Sequence, residues 1–145
     1  MIEVRRVRPE EYDDAGEVTA SAWGLKGSQE DQEWSSFRAR VADVAGRDAV
    51  AMVFIATEDD RILGSVTLEI NEHIGDEEHS TPLLPDEGHV RVLGVAPEAR
   101  RKGVGQILMS YCADVARQNG KARLTLNTSA RNLRMSSQFG PTVRI

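Results

Sequence analysis

Cysteine is almost absent from this chain: Cys112 is the only one in 145 residues. No internal disulfide can form, and a reducing cytosol is the simplest setting, so a cytoplasmic location is expected. Apolar runs of membrane-spanning length are missing as well, which argues against a helical membrane protein. The N-terminal sequence Met-Ile-Glu-Val-Arg-Arg-Val-Arg lacks the apolar stretch of a signal peptide. A positive balance is also lacking. Eighteen Lys and Arg stand against 23 Asp and Glu, a net charge of −5, so the chain as a whole is not built to hold nucleic acid. From residue 72 to 87 there are six acids and no Lys or Arg. Internal repeats and linkers are absent.

What is present is an ordinary globular composition, 40% hydrophobic and 28% charged. The length fits one domain over 1–145, in which folding buries roughly 70% of the surface of the unfolded chain.

Ile2 to Val7 reads as a strand. Pro9, whose ring pre-sets the backbone angle, opens a helix carrying Tyr12, Ala15, Val18, Thr19, Ala22 and Trp23 on one face, and Gly24 ends it. Gly27 follows in the connection. A second helix carries Trp34, Phe37, Val41 and Val44 and stops at Gly46. Ala49 to Ala56 is a buried strand by composition, residues 57–61 form a hairpin turn, and Ile62 to Ile70 returns. Asn71 to Gly88 is polar and aperiodic, the pattern of a long loop. His89 to Val95 is the next strand. A helix runs from Val104 to Asn119 with an apolar stripe of Ile107, Leu108, Tyr111, Cys112, Val115 and Ala116, ended by Gly120. Ala122 to Thr128 is a strand, parallel to the one before the helix because the connection is long enough for a crossover. A short helix starts near Ala130. The order β-α-α-β-β-β-α-β-α describes a mixed α/β domain.

Between the strand ending at Val95 and the helix beginning at Val104 stands Arg100-Arg101-Lys102-Gly103-Val104-Gly105. The first turn of a helix has backbone N–H groups without internal partners, and its dipole adds partial positive charge. Glycines at 103 and 105 allow close approach of a phosphate, and three cations add full charges. The expected ligand is a pyrophosphate. A phosphate loop of the Gly-Lys-Ser/Thr kind is excluded by Gln106 and Ile107, and a G-x-G-x-x-G dinucleotide loop by Leu108.

The stretch from Val92 to Leu108 closely resembles the central motif of the GNAT superfamily of N-acetyltransferases: an apolar strand, then Pro97-Glu98-x-Arg100, then Arg100-x-x-Gly103-x-Gly105 and an apolar helix start. Leu124-x-Leu126-x-Thr128-x-x-x-Asn132 is similar to the family's next strand and asparagine, with Thr128 in the place of a valine. The resemblance covers residues 1 to about 139. It implies a central mixed sheet flanked by helices, acetyl-CoA (coenzyme A) as cofactor, and acetyl transfer to a primary amine by direct attack in a ternary complex. By resemblance, Leu93, Gly94 and Val95 contact the pantetheine arm, which pairs with the strand backbone where two strands splay apart. Arg100, Arg101, Lys102, Gly103, Val104, Gly105 and Gln106 hold the pyrophosphate, and Asn132 bonds the cofactor further along; helix capping is the structural reading of Asn132.

An ammonium of pKa about 10.4 must lose a proton before it attacks. The family often places a glutamate at the start of the central strand, and eleven positions before Arg100 stands His89, a side chain able to accept a proton near neutrality. His89 is the candidate base, with Glu87 and Glu69 as the other candidates; a partly buried strand-end histidine is the structural alternative. A strand N–H near Leu93 to Val95 serves the developing oxyanion. The family's thiolate-protonating tyrosine falls on Phe139, which has no proton to give, with Ser136 or Ser137 as substitutes. Tyr12 and Tyr111 read as core residues. After Phe139 the family continues through two more strands, whereas six residues follow here, so one or two strands are expected to be missing and a homodimer to complete the sheet.

The acids Glu72, Asp76, Glu77, Glu78, Asp86 and Glu87 with His73 and His79 match no compact metal motif, and no metal is assigned. As a solvated loop they steer a cationic amine toward the acceptor cleft. Neither nucleic acid nor membrane is an expected partner. Two other classes stand beside the enzyme: a non-catalytic domain that binds acyl-CoA, and an α/β interaction module without cofactor.

Overall fold

The computed structural model describes residues 1–25, 32–70, 73–74, 81–82, 84–126 and 142–144. Its helices and strands are β1 (Glu3–Arg6), α1 (Tyr12–Ala22), α2 (Gln32–Ala42), α3 (Val44–Val50), β2 (Met52–Glu58), β3 (Arg61–Glu69), β4 (His73–Ile74), β5 (Thr81–Pro82), β6 (Glu87–Val95), α4 (Val104–Gln118), β7 (Arg123–Leu126) and β8 (Thr142–Arg144). The mixed α/β class expected from the pattern is what is found. Two compact units divide the chain, one of Met1–Thr67 with Val92–Met109 and one of Leu68–Arg91 with Ser110–Ile145. β3, β6 and α4 contribute residues to both.

In the first unit the strand order is β1-β2-β3-β6. β1 runs antiparallel to β2, with Val4 opposite Ala56 and Arg6 opposite Phe54. The β2–β3 hairpin turns on Asp59 and Asp60, both with positive φ (51° and 64°), the handedness that matches the twist of a two-residue hairpin. Pro9 opens a turn of 3-10 helix, Pro9–Glu11, and α1 follows from Tyr12. Glu11 closes that turn by accepting from the Arg8 N–H at 2.9 Å, and it takes both ends of the Arg5 guanidinium at 2.8 and 2.7 Å. One core cluster joins Val7, Ala15, Val44, Val53 and Ile55; another joins Ala20, Leu25 and Val41, with Trp34, Phe37, Ala42 and Val92 packed on it.

The expected second helix is two helices. Asp43 breaks it, because its carboxylate accepts from the Gly46 N–H at 3.0 Å and caps α3. Gly46 therefore lies inside α3 and does not end a helix. Ala49 and Val50 belong to α3, so the strand expected from Ala49 begins at Met52. A short apolar run carries no period that separates a helix end from a strand start. Arg47, only 6% exposed, ties the break together: it donates to the Arg40 and Val41 carbonyls at 2.7 and 2.8 Å and to the Thr67 hydroxyl at 3.1 Å.

In the second unit the order is β6-β7-β8. β6 and β7 are parallel, as the crossover length requires, in a register from Glu87 opposite Arg123 to Val90 opposite Leu126. β8 runs antiparallel to β7, with Leu124 opposite Val143. Gly88 admits Leu124, Ala116 and Leu68 around it. The expected loop 71–88 holds the antiparallel pair β4–β5, and β6 begins at Glu87, two residues before His89. The buried residues of α4 are Val104, Leu108, Met109, Cys112 and Ala116, while Ile107 is on the exposed side. The stripe thus leans toward the i, i+4 positions of Val104 and away from Ile107. Gly120, at φ 77°, ends that helix as expected. Gly27, Glu72, Asp76, Glu77, Glu78, His79, Ala130, Asn132, Ser136, Ser137 and Phe139 lie outside the described residues. Among the described residues no helix is long and apolar enough to cross a membrane.

Candidate active site

The loop after β6 is built by local bonds. Pro97–Ala99 form a 3-10 turn in which Ala99 N–H donates to Ala96 O at 2.9 Å. Arg101 then takes a left-handed φ of 75°, Gly103 takes the same value, and α4 starts at Val104. Left-handed residues spaced this way turn successive amides toward one side and form an anion-binding concavity. At Gly103 nothing lies within 4 Å of where a Cβ would be, so the glycine answers to backbone conformation and the space beside it is open. Gly105 meets only Val95 Cγ2, at 3.8 Å. The first helical bond runs from Ile107 N–H to Gly103 O at 3.0 Å, which leaves the amides of Val104, Gly105 and Gln106 without helical acceptors. These residues suit a pyrophosphate: open space, convergent donors and a helix start.

The three cations of the loop do different things. Arg100 donates through Nη2 to the Ala22 carbonyl at 2.9 Å, at the end of α1. Lys102 reaches Glu58 at 3.4 Å, an exposed pair worth about 0–1 kcal/mol and easily given up to an anion. Arg101 is exposed.

Strand β6 is bent before the loop. Val92 has φ 53°, a conformation that a β-branched residue adopts only when its surroundings force it, at a cost of about 1–3 kcal/mol. Beyond it, Gly94 O faces β3: a Cβ on Gly64 would stand 2.8 Å from it, and Ala96 N–H donates to Leu63 O at 2.8 Å. Carbonyls alternate along a strand, so those of Leu93 and Val95 face the other way. Among the described residues the β6–β7 register reaches Val90, opposite Leu126. The Leu93 carbonyl instead accepts from the indole N–H of Trp23 at 3.0 Å. Trp23 packs against Phe37 with ring centroids 5.9 Å apart and planes tilted by 49°, and Phe37 carries the Arg40 guanidinium over its ring at 5.8 Å. Sequence reading placed Trp23 on an apolar helix face and missed this bond; its position beside Gly24, at a helix end, was the available signal.

The second unit holds Glu87 and His89. His89 is 2% exposed, and its Nδ1 lies 2.6 Å from the Thr125 hydroxyl. Burial, and then the charge of Arg91, push its pKa down to about 4. Glu87 accepts from the Leu84 N–H at 3.4 Å and stands 3.5 Å from Arg123, which also pairs with Asp86 at 3.0 Å. Glu69 is buried and paired with Arg91 at 3.2 Å. In the first unit, Tyr12 donates to Asp48 at 2.7 Å, a structural bond in keeping with the core reading of that tyrosine. Cys112 is fully buried, which pushes its thiol up to about 12 and keeps it unreactive.

The sequence profile of the acetyltransferase (GNAT) family matches residues 8–136. Among solved structures, the chain is similar to the PaiA N-acetyltransferase of Thermoplasma acidophilum in complex with coenzyme A, with 15% identity over 95% of this chain and 86% of that one and a TM-score of 0.73. It is similar to a GCN5-related N-acetyltransferase of Ralstonia eutropha, with 18% identity over 95% and 90% and a TM-score of 0.67. It is similar to a GNAT family acetyltransferase of Brucella melitensis in complex with acetyl-CoA, with 19% identity over 93% and 80% and a TM-score of 0.61. At these identities the likeness is one of fold. No curated protein matches the sequence.

Proposed function

The chain belongs to the GNAT acetyltransferase family, whose cofactor is acetyl-CoA, and from that premise we propose that it moves the acetyl group to a primary amine by direct attack in a ternary complex. The observation that carries the reading is the loop with left-handed turns at Arg101 and Gly103 opening onto the first amides of α4. Val104, Gly105 and Gln106 offer backbone donors to a pyrophosphate, and Arg100, Arg101 and Lys102 offer charge. The edge of β6 at Leu93 and Val95, with Gly94 between them, offers amide groups to an amide-bearing arm, as a strand edge does where no neighbour pairs with it. Asn132 is kept as a further cofactor contact. A bound acetyl-CoA supplies an activated thioester; the chain supplies a strand N–H in the Leu93–Val95 stretch as an oxyanion donor.

For the proton, we assign His89 and Glu87. A histidine with pKa about 4 is neutral throughout the physiological range, so it can accept a hydrogen bond there. Direct transfer from an ammonium of pKa about 10.4 would be uphill by roughly 8–9 kcal/mol. His89 therefore suits a relay through Thr125 better than a final proton sink. The amine is cationic in this reading, drawn by the acids of segment 72–87. A cytosolic setting fits the single, buried thiol of Cys112. A homodimer is part of the proposal.

The burial of His89 favours a second reading, a domain that binds acyl-CoA without turning it over. Thermal shift with acetyl-CoA, repeated on Arg100→Ala, tests the shared part: a shift in the wild type that shrinks in the variant is expected, and no shift in the wild type removes both readings. Release of free thiol across an amine panel then separates enzyme from binder.

A further inference from the structure

The end of α1 is fastened by two groups, and both belong to the proposed cofactor site. The Leu93 carbonyl holds the Trp23 indole N–H at 3.0 Å, and the Arg100 guanidinium holds the Ala22 carbonyl at 2.9 Å. These are consecutive residues of α1 and its cap. Leu93 O lies on the side of β6 away from β3, where, among the described residues, no strand pairs with β6 beyond Val90. Trp23 thus occupies a backbone acceptor that an arm lying along that edge would use. Trp23 is 38% exposed as a residue and its ring leans on Phe37, so we take it that the ring can leave the carbonyl by turning toward solvent without opening the core. Behind it, Gly94 keeps α1 close to β6: a Cβ there would meet Ala22 Cβ at 3.1 Å and Thr19 Cγ2 at 3.4 Å.

We propose that Trp23 is a gate residue for the arm of the acyl cofactor, closed on the Leu93 carbonyl in the free protein and released when the arm pairs with β6. The proposal rests on the reading of β6 as the arm-binding edge. Binding the arm costs the Trp23–Leu93 bond, and that cost is a property of this chain's tryptophan. Trp23→Phe keeps an aromatic ring beside Phe37 and removes the N–H together with the second ring of the indole.

The test compares affinities for two ligands and follows Trp23 emission. One ligand is acetyl-CoA; the other is 3′-phosphoadenosine 5′-diphosphate, which carries the pyrophosphate without the arm. Trp23→Phe is expected to bind acetyl-CoA about 3–10-fold more tightly than the wild type, tenfold being about 1.4 kcal/mol, with the arm-less ligand unchanged within about twofold. In a Trp34→Phe background, where Trp23 is the sole tryptophan, acetyl-CoA is expected to shift emission to the red and the arm-less ligand to leave it in place. Equal gains for both ligands, a weaker acetyl-CoA affinity, or emission unmoved by acetyl-CoA overturns the gate. If the wild type binds the arm-less ligand but not acetyl-CoA, the β6 edge reading falls with it; if it binds neither, the cofactor reading itself fails.

Discussion

His89 Nδ1 and the Thr125 hydroxyl lie 2.6 Å apart on parallel strands, at positions opposite each other in the register of β6 and β7. The Thr125 hydroxyl has a second, longer contact with the Gly88 carbonyl at 3.4 Å. A buried imidazole so placed is satisfied while neutral, and charging it would leave a cation in an apolar wall near the Arg91 guanidinium. The same burial that makes His89 a sound strand residue makes it a weak base.

That relationship fixes a pH dependence. The folded pKa, about 4, is below the unfolded value of about 6.5, so the unfolded chain binds the extra proton first. Stability contributed by neutral His89 is present above about pH 6.5 and is lost as pH falls toward 4, an effect of about 3 kcal/mol at most. Denaturant midpoints measured from pH 4 to 7 should fall steeply on the acid side in the wild type and less so in His89→Gln, which cannot titrate. Equal slopes would mean that His89 is not the group responsible. If His89 relays the proton, His89→Ala should also lower kcat while leaving the acetyl-CoA affinity unchanged within about twofold.

Arg47 gives a prediction about stability alone. Its guanidinium satisfies the Arg40 and Val41 carbonyls at the end of α2 and the Thr67 hydroxyl. A hydrogen bond from a charged donor contributes about 1.5–3 kcal/mol, and the orphaned acceptors would remain buried. Arg47→Ala should destabilise the protein by about 3 kcal/mol or more by chemical denaturation. Arg47→Lys should recover only part, since an ammonium cannot span three acceptors in the plane of a guanidinium. A loss under about 1 kcal/mol would show that the break between α2 and α3 is held by other contacts.

The loop was legible in the sequence because its chemistry is local: the turn at Pro97 and the helix start at Val104 fall where the spacing put them, while the left-handed φ of Arg101 and Gly103 was not foreseen. The parallel pairing of β6 and β7 was legible for the same reason, since crossover length decides it. The break at Asp43 was not, because the apolar spacing of Trp34 to Val44 continues across it while a single side-chain bond to Gly46 N–H ends the helix. Nor was Trp23, whose partner Leu93 is 70 residues away. The depressed pKa of His89 depends on burial and on Arg91, and neither can be read from a strand-end position.

Gly103 offers a test of the loop that separates conformation from space. Its φ is 75°, and a side chain there would meet nothing within 4 Å. Substitution is therefore penalised by the backbone alone, about 1–2 kcal/mol for a left-handed L-residue. Asparagine tolerates that region better than valine, whose two branches crowd the carbonyl. In acetyl-CoA titrations, Gly103→Asn should retain affinity within about threefold and Gly103→Val should lose about tenfold or more, because a loop that relaxes to negative φ turns its amides away from the pyrophosphate. Thermal melts without ligand should show smaller differences than the titrations. If both variants bind like the wild type, the left-handed turn at Gly103 is a feature of the loop's path and has no part in holding the anion.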